Sequence, residues 1–348
     1  MEMTRCLLLG FEASKAYLFL TLNELFLAVF MILVESLTSN GVSALVIVVY
    51  EHVIATVLLS FLAFFLERNN RPPLSIKILY QISSDHLIIL HIWISLSQVL
   101  FTMSLQFVAS TYQSVGLNLI PSLVFVMALI FHQEKLKCWS INGQAKIWGL
   151  ALSAAGALVV LLWKGPVVLN SMLFNIQATS DVVTGSIMII VGVLAKSFSN
   201  ILVGHVIQFY PAELSLTAMM SLFGTIQTAV VSAFVISWSS WDLKWEKGLV
   251  LVTILLGGIV VTGLSYYVMT WSIKKKGPVF TSAFDPLLVV FSFFLQTFVL
   301  GNSAYLGSIV GAVLVILGLY LILWAKTNDM DNKGIVADDS VCSPLIQP

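Results

Sequence analysis

Long apolar runs separated by short polar or basic stretches recur along the whole chain. A run of about twenty residues matches the ~30 Å hydrocarbon core of a bilayer at 1.5 Å rise per residue. Ten membrane spans are predicted, at 17–37, 43–66, 87–108, 111–131, 147–163, 183–207, 214–237, 249–271, 279–300 and 304–325. The third and fourth run together. They are divided at Ala109-Ser110-Thr111, because the joint run is too long for one crossing. The fold class expected is an all-α polytopic membrane protein.

The last two spans have an earlier echo. Shifted back by 162 positions, Ile309, Gly311, Gly318, Leu323 and Lys326 fall on Ile147, Gly149, Gly156, Leu161 and Lys164. Shifted back by 168, Ser282 falls on Ser114 and Pro286 on Asn118, close to a second helix breaker, Pro121. A duplication is the simplest account of such spacing. Five spans per copy is an odd number, so the two halves are expected to cross the membrane in opposite senses, a recurrent transporter architecture. The expected organisation is a cytosolic segment 1–16, a first five-helix repeat 17–164, an outer loop 165–182, a second repeat 183–326, and a polar, disordered cytosolic tail 327–348.

Composition agrees. The chain is 59% hydrophobic and only 10% charged, whereas a soluble domain carries about 25% charged residues. Seventeen basic and seventeen acidic residues cancel, so the totals point to no nucleic-acid partner. Cys6, Cys138 and Cys342 show no pairing or metal-ligand pattern. The first sixteen residues do not read as a cleavable signal. With the N-terminus inside, thirteen of the Lys and Arg residues fall in cytosolic segments and only Lys164, Lys244 and Lys247 in outer loops. Lys196 alone lies within a span.

Ionisable groups at membrane depth need a partner, a water cavity or a function. Glu51 lies ten residues past Gly41, about 15 Å deep, with His52 beside it. It reads either as a proton-titrating or substrate-ammonium site, or as a structural hydrogen-bond partner. Asp285 and Pro286 break the ninth span, freeing the carbonyl of Ser282, and Pro121 breaks the fourth near Asn118. Paired breaks in corresponding helices of inverted halves point to a transport site; packing kinks are the alternative. Lys196 reads as the partner of Glu51 or Asp285 or of a substrate carboxylate, against snorkelling to the surface. Glu24 is assigned to helix pairing in the first span.

The stretches YEHVIATVLLSFLAFFLERNNRPPL (50–74), NLIPSLVFVMALIF (118–131), GQAKIWG (143–149), YPAELSLTAMM (210–220), SYYVMTWSIKKKGPVFTSAFDPL (265–287) and YLGSIVGAVLVILGLYLILW (305–324) resemble the plant drug/metabolite transporters of the EamA-like type. That group is also called nodulin-21-like, Walls-Are-Thin-related or UMAMIT. The resemblance implies a ten-helix bundle of two inverted repeats that moves amino acids, auxin or related metabolites through a plasma or vacuolar membrane. It also implies that Gln98 and Gln113 stand at the central cavity. The chain departs from the family pattern at Glu51, Met269 and Asn302.

No glycine-rich phosphate loop, HExxH spacing or Gly-x-Ser-x-Gly elbow occurs, so neither an enzyme nor an ATP-driven pump is expected and no cofactor is assigned. The substrate-binding candidates are Glu51, Gln98, Gln113, Asn118, Pro121, Lys196, Ser282, Asp285 and Pro286. The expected partners are a small organic solute, protons as a co-substrate, the lipid bilayer, and a second copy as a homodimer candidate. A non-transporting scaffold or sensor that keeps the same fold is the alternative.

Overall fold

The computed structural model describes residues 2–68, 84–134, 139–163, 167–169, 179–236, 241, 248–299 and 304–341. Asn302, Cys138, Cys342, the basic residues Arg71, Lys77, Lys135, Lys137, Lys164, Lys244 and Lys247, and the tail beyond 341 lie outside these. So does most of the loop 165–182. Helices α1 (Glu2–Ser39), α2 (Ala44–Leu66), α3 (Ser84–Ser104), α4 (Ser110–Leu117), α5 (Ile120–Ile130) and α6 (Ile141–Leu162) precede a short strand, β1 (Val167–Leu169). Then come α7 (Thr179–Phe209), α8 (Glu213–Val235), α9 (Gly248–Leu255), a π-helical segment (Leu256–Leu264), α10 (Ser265–Lys276), α11 (Pro278–Ser282) and α12 (Leu287–Phe298). Strand β2 (Ala304–Tyr305) and α13 (Leu306–Val341) end the described chain.

Apolar segments in lipid must satisfy their own backbone, which is why these runs are helical. Seven helical stretches among the described residues are long and apolar enough to cross a membrane, and 92–104 and 309–325 add two shorter apolar ones. The chain is an all-α polytopic membrane protein. The one sheet among the described residues is the antiparallel pair β1–β2, with Val167 opposite Tyr305.

Helix ends are set by local chemistry. Gly41 (φ 84°) makes the turn from α1 to α2, and Gly277 (φ 89°) the turn from α10 into Pro278, conformations that favour glycine. The Ser140 hydroxyl caps α6 by accepting from Gly143 N at 3.0 Å. Glu67, just past α2, caps α8: its two oxygens accept from Leu214 N at 2.8 Å and Ser215 N at 2.7 Å.

Both proline-bearing spans are broken. Asn118 and Leu119 part α4 from α5, and Pro121 sits in the first turn of α5. Residues 283–286 part α11 from α12. There the carbonyl of Ser282 takes a tight bond from Asp285 N at 3.1 Å, in place of the bond that Pro286 cannot donate.

Helix α1 begins at Glu2, within the segment 1–16, and α13 runs to Val341, within the segment 327–348. Neither α1 nor α13 contains a proline.

Helix packing depends on small residues, as expected where lipid removes the hydrophobic drive between helices. The tightest seam joins α6 to α13. A Cβ on Gly149 would lie 2.8 Å from Gly318 O, and one on Gly156 would lie 2.7 Å from Gly311 O. Elsewhere α2 packs on α8, α3 on α7, α1 on α12 and α5 on α7. The two broken spans cross each other, α4 on α12 and α5 on α11.

Candidate functional site

A cavity of about 140 Å³ lies between α1, α3, α4, α5, α7, the π-helical segment, α10 and the broken span α11–α12. That is roughly ten times the room one ordered water needs. Along α1 it extends from Leu20 to Met31, about 16 Å at 1.5 Å per residue. Phe30, Phe101, Leu105, Leu117 and Ile120 line part of the wall with apolar surface. Elsewhere on the same wall three ionisable groups converge from three helices: Glu24 of α1, Lys196 of α7 and Asp285 at the break before α12.

Lys196 is not a surface lysine. It stands thirteen residues before the end of α7 at Phe209, about 20 Å along the helix, and its head faces the cavity. Its ammonium rests 5.0 Å from the centre of the Tyr266 ring and donates to the Met269 sulfur at 3.4 Å. A thioether and a ring face are weak partners for a cation with three N–H groups. Asp285 and Glu24 are within electrostatic reach of it.

The acceptors around it have spare capacity. Asp285 Oδ2, Asn23 Oδ1 and Asn200 Oδ1 are buried and have no hydrogen-bond partner among the described residues, and all three residues line the cavity. Glu24, only 4% exposed, accepts from Asn23 Nδ2 at 3.0 Å. The wall therefore presents one under-used cationic donor and a group of under-used acceptors, a combination that complements a solute bearing both ammonium and carboxylate.

A second polar group adjoins this one. The Tyr266 hydroxyl donates to Gln98 Oε1. Gln98 Nε2 donates to Glu51 Oε1 at 2.6 Å and to Thr262 Oγ1 at 3.1 Å. Glu51 is thus not on the lining; it stands behind Gln98, wholly buried. The π-helical segment makes room for it. A Cβ on Gly257 would lie 2.7 Å from Glu51 Oε2, and one on Gly258 would lie 2.6 Å from Ile54 Cβ. Pi-helical turns inside α-helices are frequent at functional sites.

Four sequence candidates line the cavity: Gln98, Gln113, Lys196 and Asp285. The amide nitrogen of Gln113 is occupied by Phe101 O (2.5 Å) and Ser104 Oγ (2.9 Å), holding the turn after α3. Asn118, Pro121, Ser282 and Pro286 are not on the lining. Asn118 Nδ2 donates to Ser153 O on α6 at 3.0 Å, and Ser282 Oγ turns back to Val279 O at 3.3 Å. Their contribution is to shape the breaks that bring Asp285 and α5 to the cavity. Glu24, Asn23 and Asn200 join the site without a sequence signal that assigns them to it, whereas Tyr266, readable from the sequence either as cavity lining or as interfacial aromatic, lines it. The one signal for the first pair is an amide-acid doublet eight residues past Lys15, deep in an apolar run.

The EamA-like transporter family model matches residues 183–324. Three WAT1-related proteins of Arabidopsis thaliana are similar over most of the chain. One is 31% identical, covering 95% of this chain and 94% of its own. Another is 37% identical, with 84% and 85% covered, and a third 33% identical, with 90% and 88% covered. The chain belongs to the EamA-like, WAT1-related family of membrane transporters. A solved crystal structure, 14% identical, superposes with a TM-score of 0.66 over 91% of this chain and 98% of that one, a likeness of fold alone. Among the described residues, the cavity between the broken spans holds the buried, unpartnered oxygens of Asn23, Asn200 and Asp285.

Proposed function

We propose that the chain is a ten-span carrier built of two inverted five-helix repeats, 17–164 and 183–326 joined by 165–182. It moves a small zwitterionic solute, an amino acid foremost, by alternating access. Both termini face the cytosol, and the membrane is the plasma or vacuolar one.

The helix packing supports the inverted repeats. If span n of the first half corresponds to span n of the second, an in-plane two-fold axis requires every contact to recur with its halves exchanged. The contact of α1 with α12 has its counterpart in α7 with α4 and α5. The contact of α2 with the π segment has one in α8 with α3, and that of α3 with α7 has one in the π segment with α1. The seams α2–α8, α6–α13 and α4/α5–α11/α12 are their own counterparts. Gln98 and Tyr266, bonded to each other, are 168 positions apart, the shift that aligns the broken spans.

The observation that carries the substrate reading is the Lys196 ammonium resting on a sulfur and a ring face, set among the unpaired acceptors of Asp285, Asn23 and Asn200. A substrate carboxylate takes Lys196, and its ammonium takes the acceptors. Two acids against one lysine disfavour a purely anionic solute such as auxin.

The test is flux through proteoliposomes of the purified protein, using a labelled amino-acid pool with labelled auxin in parallel. Saturable amino-acid flux that falls in both Lys196→Met and Asp285→Asn is the expected result. Auxin flux surpassing amino-acid flux would reverse the charge assignment, and flux untouched by either substitution would remove the site.

A further inference from the structure

Glu51 is a buried acid that the solute cavity does not use. Its side chain is fully enclosed. Oε1 accepts from Gln98 Nε2 at 2.6 Å, while Oε2 has no hydrogen-bond partner among the described residues. Around it stand Phe30 of α1, Gln98 of α3, Gly257 and Thr262 of the π segment, Tyr266 of α10 and its own neighbour His52.

Of these only His52 and Tyr266 titrate, and neither supplies a positive charge. His52 Nδ1 is 3.8 Å from Glu51 Oε1, too far for a hydrogen bond. At 2.9 Å from Val48 O, which can only accept, Nδ1 carries the hydrogen and aims it along α2. From α8 the residue meeting the His52 ring is Gly224, which brings no charge. An ionised carboxylate in this setting would be desolvated with one amide donor and no cation, whereas a neutral carboxyl fits.

We propose that Glu51 is a proton-binding site separate from the solute cavity, occupied in the conformation seen here, and that Gln98 and Tyr266 tie its occupancy to Lys196. This rests on the carrier reading above. The step is a simple one: Glu51 takes a proton from water on one side of the membrane, becoming a neutral carboxyl, and returns it as a carboxylate to water on the other. Gln98 is the link because its amide has both roles committed. Its nitrogen is shared between Glu51 and Thr262 of the π segment, and its oxygen holds the Tyr266 hydroxyl. Tyr266 in turn presents its ring to Lys196. A charged Glu51 draws the Gln98 amide to itself. A neutral one leaves Gln98 free to shift with Tyr266 when Lys196 engages a carboxylate.

Two measurements test this, and the first needs no solute. Infrared spectra of the purified protein at neutral pH should contain a protonated-carboxyl band that disappears in Glu51→Gln, a substitution close in shape to the neutral acid. Gln98→Leu should shift that band to higher frequency by removing the bond to the carbonyl oxygen, which keeps the proposal open to refutation if Glu51→Gln fails to fold. The second uses labelled phenylalanine in proteoliposomes. Glu51→Gln should keep solute counterflow and lose accumulation driven by an imposed pH gradient.

A spectrum unchanged by Glu51→Gln, a band unmoved in Gln98→Leu, or gradient-driven accumulation surviving in Glu51→Gln would each overturn the proposal. Wild-type protein that shows the band but moves no phenylalanine would count against the solute reading while leaving the proton site standing.

Discussion

Gly149 of α6 and Gly318 of α13 stand so close that a Cβ on Gly318 would lie 2.6 Å from Gly149 O, and one on Gly149 would lie 2.8 Å from Gly318 O. Seven residues away on each helix, in opposite directions, Gly156 meets Gly311: a Cβ on Gly156 would lie 2.7 Å from Gly311 O. The shift of 162 maps Gly149 onto Gly311 and Gly156 onto Gly318, so the two contacts are one contact seen twice. Residue i touches the counterpart of j while j touches the counterpart of i, the pattern that the proposed two-fold relation between the halves requires. Ser153, whose hydroxyl is 3.5 Å from Val315 O, lies at its centre, because Val315 is its own 162-shifted counterpart.

The proposed two-fold relation gives a prediction. Gly149→Ala and Gly311→Ala should destabilise the protein by similar amounts, about 1–3 kcal/mol each, as overpacking of a tight seam does. Thermal unfolding in detergent, followed by loss of the monodisperse peak, measures both. A large loss in one and none in the other would mean the seam is not two-fold.

Lys196 gives a second prediction. A charge-assisted hydrogen bond is worth about 1.5–3 kcal/mol, so Lys196→Met should weaken apparent solute affinity roughly ten- to hundredfold. Lys196→Arg, which keeps the charge, should lose less. Competition of unlabelled amino acids against labelled uptake reads the change. Equal losses in both variants would assign Lys196 to packing against Tyr266 and Met269 instead.

Much of this was legible in the sequence because the bilayer imposes length. Apolar runs of about twenty residues had to be helices, and Pro121 and Pro286 announce the two breaks by removing donors. The contents of the cavity were less legible. A helix apolar all round gives no periodic stripe to show which side faces inward, so Glu24 read as a helix-pairing residue although it lines the site. Asp285 and Lys196 stood out because charge is rare in lipid, and Asn200, being uncharged, did not. The π-helical turns had no signal beyond Gly257, Gly258 and Gly263, and the first two of these serve Glu51 and Ile54 from a distant part of the chain.

Glu67 carries a third prediction. Its carboxylate closes two backbone N–H groups at the start of α8 and sits at the positive end of that helix's dipole. Glu67→Ala should cost about 1–2 kcal/mol, and Glu67→Gln less, since the amide oxygen still accepts one bond. Thermal midpoints of the three proteins in detergent should fall in the order wild type, Gln, Ala. An Ala variant as stable as wild type would show that water replaces the cap without loss.

The fourth prediction concerns how the broken span is held. Gly116, two residues before the break, faces Ile189 of α7, and a Cβ there would run into Ile189 Cγ2, with no atom besides those of Ile189 nearby. Gly116→Ala should therefore destabilise by about 1–3 kcal/mol, and Ile189→Ala, which empties a buried site, by about 2–5 kcal/mol. Because the methyl introduced at position 116 occupies space that Ile189 vacates, the double variant should be more stable than the sum of losses predicts, by at least about 0.5 kcal/mol. Thermal unfolding of the four proteins of the cycle decides it. Strict additivity would mean that α4 does not approach α7 this closely. The break would then need another restraint to keep Gln113 and Leu117 at the cavity.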